Sequence, residues 1–120
     1  MTSIQPFHEK LEQLMDEYVH FIYQITKIFP RDELYGVTSQ LRRATLSVIL
    51  NYIEGYARIH EKVYKNFLQI SYGSLKESKY LIKFSFKEGY ITQEDHGRAI
   101  GLAEEIGAML WGVISKISVV

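Results

Sequence analysis

The segment from Tyr35 to Arg58 has apolar residues on two sides of a predicted helix. A helix on the surface of a monomer normally has a single apolar face. We therefore expect one side to face the core of the chain and the other to contact another molecule, most simply a second copy. Periodicity alone does not decide which side faces inward. At 3.6 residues per turn, the first side holds Leu41, Ala44, Thr45, Val48 and Tyr52, and the second, the preferred oligomer interface, holds Leu46, Ile49, Leu50, Ile53, Tyr56 and Ala57.

Composition narrows the class of protein. A chain of 120 residues fits one domain, residues 1–120, with a core large enough to fold without disulfides. Fourteen basic residues balance fourteen acidic ones, so no global field attracts nucleic acid or an anionic membrane. There is no cysteine, and the N-terminal sequence lacks the pattern of a signal peptide. We expect a soluble cytoplasmic protein with no membrane partner.

Apolar spacing predicts four helices, at about 7–27, 37–58, 62–87 and from 92 onward. Thr38 or Ser39 is the expected cap of the second helix, and Gly55 near its end either loosens the last turns or permits a close backbone approach. Gly89 is expected to end the third helix, and Thr92 to cap the fourth. Four amphipathic helices with short connections predict an all-α protein, a single-domain antiparallel four-helix bundle with up-down-up-down topology.

The run YGVTSQLRRA at 35–44, followed by the triplet Glu54-Gly55-Tyr56, resembles a bacterial family. These are the four-helix-bundle proteins encoded by intervening sequences of 23S ribosomal RNA genes. Similar segments continue at 67–70, 73–75 and 89–90. The chain departs from the family pattern at 48–50, where a proline usually follows the serine of the second helix.

This resemblance implies a cyclic homo-oligomer, commonly a pentamer. A related branch, the accessory proteins of diversity-generating retroelements, forms basic pentameric barrels that bind nucleic acid and reverse transcriptase. The resemblance therefore favours a non-enzymatic scaffold or adaptor, with RNA, DNA or a nucleic-acid enzyme as the leading partner. The alternative is a purely structural or protein-binding homo-oligomer without affinity for nucleic acid.

Two arginines early in the second helix have two interpretations. Arg42 and Arg43 suit bidentate contact with phosphate, so they are candidate nucleic-acid contacts. Equally, they suit pairing within or between chains with Glu54 and Glu77, which stand among apolar residues. Buried carboxylates need such partners. The preferred interpretation is a buried ion-pair network of these four residues.

A lysine stripe follows on the third helix. Residues 61–88 hold six lysines against three glutamates. Repeated around a ring, the stripe would add phosphate contacts, although a solvated face is the simpler interpretation. The candidate nucleic-acid contacts on it are Lys76, Lys79, Lys83 and Lys87.

The sequence predicts no enzyme, no cofactor and no metal site. Glu17 and His20 match half of a di-iron motif, but the required second Glu-x-x-His pair is missing. Both residues fall on a polar stripe that is expected to face solvent. No serine is tied by spacing to a histidine and a carboxylate, and a nucleophilic cysteine is excluded by composition.

Overall fold

The computed structural model describes residues 4–58 and 60–117, and helices joined by short turns make up this part of the chain. Helix α1 spans Ile4–Thr26, α2 spans Val37–Tyr56, α3 spans Glu61–Lys87 and α4 spans Gln93–Lys116. A single 3-10 turn, Arg31–Glu33, lies between α1 and α2. The described residues include no strand, so the predicted all-α class is confirmed.

The four helices pack side by side around one core. Each helix packs against the next one in the chain, and α1 packs against α4. The most extensive of these contacts joins α2 and α3. Short connections and neighbour-to-neighbour packing define an antiparallel up-down-up-down bundle, about 45 × 24 × 18 Å in extent. The predicted topology is confirmed.

The burial of its side chains shows which side of α2 faces the core. Leu41, Val48 and Tyr52 are completely buried, and Ala44 and Thr45 are buried beside them. The first apolar side therefore faces the core, where α2 packs against α1 and α3, and most of the second side lies outside it. Completely buried residues of the other helices complete this interior, namely Leu11, Met15, Tyr18, Ile22, Leu68, Leu75, Ile82, Ile106 and Leu110.

Small and polar residues hold α2 close to α3. The hydroxyl groups of Ser47 and Ser74 form a hydrogen bond of 2.7 Å between the two helices. At Gly55, a β-carbon would come within 2.8 Å of the Phe67 β-carbon, so only glycine fits there without a shift. The predicted close approach at Gly55 is confirmed.

The predicted end of α3 and the predicted cap of α4 are confirmed, and the predicted cap of α2 is wrong. Gly89 has a φ of 85°, and the Thr92 side chain accepts a hydrogen bond from the Asp95 amide at 3.1 Å. Neither Thr38 nor Ser39 caps α2, because the helix begins at Val37 and Gly36 holds the cap position. The Glu33 carboxylate takes over the role, accepting a hydrogen bond from the Val37 amide at 3.1 Å.

Candidate functional site

The second apolar side of α2 divides into two groups. Leu50 is 58% exposed and Ile53 is 44% exposed, and Leu46 stands one turn before Leu50 with its side chain half-buried. Together with exposed Arg43 they follow steps of three, four and three residues, so they form one stripe. We call this stripe the α2 seam (Arg43, Leu46, Leu50, Ile53). It is an apolar helix face that the described chain leaves uncovered.

The other group turns toward α1. The Tyr56 ring lies against the His8 ring with centroids 4.3 Å apart and an interplanar angle of 34°, and His8 Nδ1 hydrogen-bonds the hydroxyl of Tyr52. Ile49 lines a cleft with these rings and packs against the core. Burial lowers the pKa of His8 and raises the pKa of Tyr52. Ile49 and Tyr56 are therefore partly engaged within the chain, through a histidine that sequence reasoning did not single out.

A second uncovered stripe runs along α3. Its members are spaced by three, four, three and four residues, and we call it the α3 seam (Ile70, Gly73, Glu77, Tyr80, Phe84). Ile70 is 51% exposed and Tyr80 is 65% exposed. A β-carbon at Gly73 would meet no atom within 4 Å in the described structure.

The two seams lie on the same outer side of the bundle. Ile70 stands between Phe67, which abuts Gly55, and Ser74, which bonds Ser47. Residues three and four apart share a helix face, so Ile70 lies beside α2 at about the level of Leu50. Arg43 and Glu77 both border one cleft between the helices.

Arg42 is engaged within the chain. Its Nε donates to the Thr26 hydroxyl at 2.8 Å, and a terminal nitrogen donates to the Tyr23 carbonyl oxygen at 3.4 Å. The guanidinium also lies 4.7 Å from the centroid of the Tyr23 ring. These bonds fasten α2 to α1 and turn Arg42 away from the lysines of α3. Contact of Arg42 with nucleic acid stays a prediction.

The structure corrects the predicted buried ion-pair network of Arg42, Arg43, Glu54 and Glu77. Glu54, Glu77 and Arg43 are exposed, so their charges stay in water and need no buried partner. Glu54 pairs with Arg58, one turn away on the same helix. Among the described residues, no ion pair joins Arg42 or Arg43 to Glu54 or Glu77. Sequence reasoning placed these residues among apolar neighbours along the chain, but the fold puts them on its outer side. Pairing of Arg43 and Glu77 between chains stays a prediction.

The α3 lysines lie on the flank that faces α4. Lys79 Nζ is 3.7 Å from the Glu104 carboxylate, and Lys76 Nζ is 5.5 Å from the centroid of the Tyr72 ring. Lys83 and Lys87 continue the stripe and are exposed. Arg42, by contrast, contacts residues of α1.

An aromatic pair that sequence reasoning missed lies beside these lysines. Trp111 and Tyr72 approach with ring centroids 5.5 Å apart and an interplanar angle of 41°. With Lys76, Lys79 and Gly107 they line a cleft of about 240 Å³ between α3 and α4. The sequence signal was the only tryptophan of the chain, placed on α4 outside its apolar face.

Within residues 4–58 and 60–117, a metal site, a ligand cleft and a membrane-spanning helix are the other features that would bear on function. No three metal-ligating side chains cluster there. Glu17 contacts Arg98 and His20 contacts Asp16, all on the surface. A cleft of about 690 Å³ at one end of the bundle is mainly apolar. No helix in these ranges has the length and hydropathy needed to cross a membrane.

The comparisons with known proteins give the class. The model of the 23S rRNA-intervening sequence protein family matches residues 9–112, and the chain belongs to this family. A solved structure from the S23 ribosomal protein family, a protein of unknown function from Bacteroides thetaiotaomicron, has the same fold with a TM-score of 0.84. The two sequences are 19% identical, and the alignment covers 92% of this chain and 99% of the other. No curated protein matches the sequence.

Proposed function

We propose that this chain is a non-enzymatic cytoplasmic scaffold that assembles into a closed homo-oligomeric ring and binds nucleic acid on its outside. The observation that carries the proposal is the pair of uncovered seams on α2 and α3. Exposed apolar stripes on adjacent helices are typical of an interaction surface rather than of a free monomer. A pentamer is the stoichiometry that the family resemblance implies.

A ring needs two different surfaces, because head-to-tail contacts close a cycle only when unlike patches meet. The α2 seam and the α3 seam are such a pair. In a ring whose symmetry axis is parallel to the helices, residues at the same height along the bundle face each other in neighbouring copies. Leu50 then packs against Ile70 of the next copy, and Leu46 approaches its Gly73. The absence of a side chain at Gly73 lets the two helices come close.

Charge complementarity supports the same arrangement. Arg43 and Glu77 lie at one level of the bundle, bordering the same cleft. Neither forms an ion pair within the described chain. In the proposed ring, Arg43 of one copy faces Glu77 of the next, and a partly desolvated pair of this kind fixes register and partner choice.

The nucleic-acid part of the proposal rests on the lysine stripe. Lys76 and Lys79 face α4 rather than the α3 seam, so ring closure leaves the stripe exposed. Each copy repeats it, and phosphate contacts add along a bound strand. The alternative, a purely structural or protein-binding ring, predicts no polyanion binding that depends on salt.

Charge reversal tests the ring. We expect Arg43→Glu and Glu77→Arg each to dissociate the oligomer, because each places like charges opposite each other. The double variant Arg43→Glu/Glu77→Arg restores the attraction and is expected to reassemble. Arg31→Glu is the control, since Arg31 is exposed in the turn before α2 and lies outside both seams. Dissociation of the double variant together with both single variants would refute this pairing.

Salt dependence tests the nucleic-acid part. We expect retention on heparin at low ionic strength and binding of a mixed RNA pool that weakens steeply as salt rises. A protein that elutes unbound at low salt would remove nucleic acid from the proposal and leave the structural ring.

A further inference from the structure

We propose that the cleft between α3 and α4 holds one unpaired base of a single-stranded nucleic acid, stacked on Trp111. We call it the aromatic cleft (Tyr72, Lys76, Lys79, Gly107, Trp111). The inference rests on the proposed nucleic-acid binding and names the form of nucleic acid and the site that receives it.

The first argument is the exposure of a large aromatic ring. Trp111 is 54% exposed, although a large aromatic ring gains more than most side chains from burial. Tyr72 supports its ring from α3 at a centroid distance of 5.5 Å. Proteins that bind single strands stack bases on such rings, because every base presents a π face.

The second argument is the size of the cleft. Its volume of about 240 Å³ is below the roughly 300–1,000 Å³ of sites for drug-sized ligands. Small residues, Ala103, Gly107 and Ala108, form part of its lining. At Gly107 a β-carbon would already come within 3.3 Å of a Leu75 methyl group. The cleft therefore suits a single flat ring system rather than an extended molecule.

The third argument is the charge beside the rings. Lys76 and Lys79 border the cleft, and the one carboxylate that lines it, Glu104, already pairs with Lys79 at 3.7 Å. Lys83 extends the positive stripe by about 6 Å beyond Lys79 along α3, at 1.5 Å per residue. A phosphate backbone following this stripe places its bases over the aromatic cleft. Bases in a duplex are stacked on each other and cannot reach it, so the site selects single strands.

The test uses the full chain and a fluorescently labelled oligothymidylate of about 16 nucleotides, within the range that single-strand sites cover. We expect the strand to quench the intrinsic fluorescence of Trp111, the only tryptophan. Trp111→Ala should weaken binding about 5- to 150-fold, which corresponds to about 1–3 kcal/mol for one stacked base. Trp111→Phe should retain most of the affinity, and a duplex of equal length should bind more weakly.

Two further variants separate stacking from charge. Lys76→Ala/Lys79→Ala should reduce the slope of log affinity against log salt by about 1.4, since each phosphate contact to a single strand contributes about 0.7. Trp111→Ala should leave this slope unchanged. Tyr35→Ala removes an exposed aromatic ring outside the cleft and should change neither quantity.

The outcomes distinguish the two proposals. If the wild-type chain binds no oligonucleotide, the proposed nucleic-acid function fails and this inference fails with it. If the wild type binds but Trp111→Ala binds equally well, with no quenching in the wild type, only the inference is overturned. Equal affinity for single strand and duplex would overturn it as well, and would leave the cleft to a protein partner.

Discussion

Ser71 donates its hydroxyl hydrogen to the carbonyl oxygen of Val48, 2.6 Å away across the contact between α2 and α3. The bond is buried and joins a side chain of one helix to the backbone of the other, so it fixes the register between them. That register places Leu50 beside Ile70 on the outer side of the bundle. The proposed ring therefore depends on an interior hydrogen bond that positions two exterior seams.

The first prediction concerns the α2 seam. Leu50→Lys should dissociate the oligomer and preserve helicity, because Leu50 is exposed in the protomer. An unpaired charge buried at a contact costs about 3–5 kcal/mol, which weakens that contact roughly 100-fold or more. Light scattering reports the mass and circular dichroism the helicity. Ile28→Lys is the matched control, because Ile28 is exposed and lies outside both seams. Loss of helicity in Leu50→Lys would assign Leu50 to the core instead.

The second prediction concerns the close approach at Gly55. Gly55→Ala should lower the free energy of unfolding by about 1–3 kcal/mol, the usual cost of overpacking. The new β-carbon would lie 2.8 Å from the Phe67 β-carbon and 3.3 Å from the Tyr64 carbonyl oxygen. Urea unfolding measures the change. An unchanged midpoint would show that α2 and α3 are less closely packed than described.

Gly73→Ala provides the contrast to that variant. A β-carbon at Gly73 would meet no atom within 4 Å among the described residues, so alanine should stabilise the isolated protomer by about 0.5–1 kcal/mol through helix propensity. The same change should weaken the oligomer, because the added methyl group stands in the proposed contact with Leu46. An alanine variant that assembles more tightly would contradict the role given to Gly73.

The fourth prediction concerns alkaline pH. Burial raises the pKa of Tyr18 above its ordinary value of 10.0, so the folded chain keeps a proton that the unfolded chain loses. Its contribution to stability is complete below pH 10 and declines as pH rises above it, by up to about 1.4 kcal/mol per pH unit. Tyr18→Phe should make the alkaline decline shallower.

Tyr18→Phe also has a cost at neutral pH. It removes the 2.7 Å hydrogen bond to Ser78, so stability at pH 7 should fall by about 1 kcal/mol. Tyr35→Phe, at an exposed tyrosine, should leave both quantities unchanged. Denaturant unfolding across the pH range measures the effect, and an identical alkaline slope in Tyr18→Phe and wild type would contradict it.

The fifth prediction separates the two neighbouring arginines. Arg42→Ala should destabilise the protomer by about 1–2 kcal/mol, because it removes the hydrogen bond to Thr26 and the contact with the Tyr23 ring. Arg43→Ala should leave protomer stability within about 0.5 kcal/mol of wild type, as expected for an exposed site. Equal effects of the two variants on unfolding would contradict this division.

Much of the fold was predictable because helix periodicity is a local property of the sequence. The four helices and the terminator at Gly89 follow from spacing and backbone chemistry alone. The cap of α2 was missed because Glu33 reaches Val37 from a preceding 3-10 turn, whose geometry the sequence does not encode locally. The other oxygen of the same carboxylate accepts a hydrogen bond of 2.8 Å from the hydroxyl of Tyr90, which lies 57 residues further along the chain.

The candidate site was less predictable because it depends on register between helices. Apolar spacing placed Ile49 and Leu50 on one side of α2, yet the fold turns Ile49 toward α1 and Leu50 outward. Likewise, Arg42 and Arg43 are adjacent in sequence but face different surroundings. The pairing of Tyr72 with Trp111 joins two helices, so no spacing within either helix reveals it.

The mass of the particle in solution tests the central claim most directly. Light scattering on the eluting protein should give a multiple of the 14.0 kDa chain, and a pentamer corresponds to about 70 kDa. That result is predicted because the apolar residues of both seams are removed from water only when a partner copy covers them. A single 14.0 kDa species, persisting at high protein concentration, would contradict the ring.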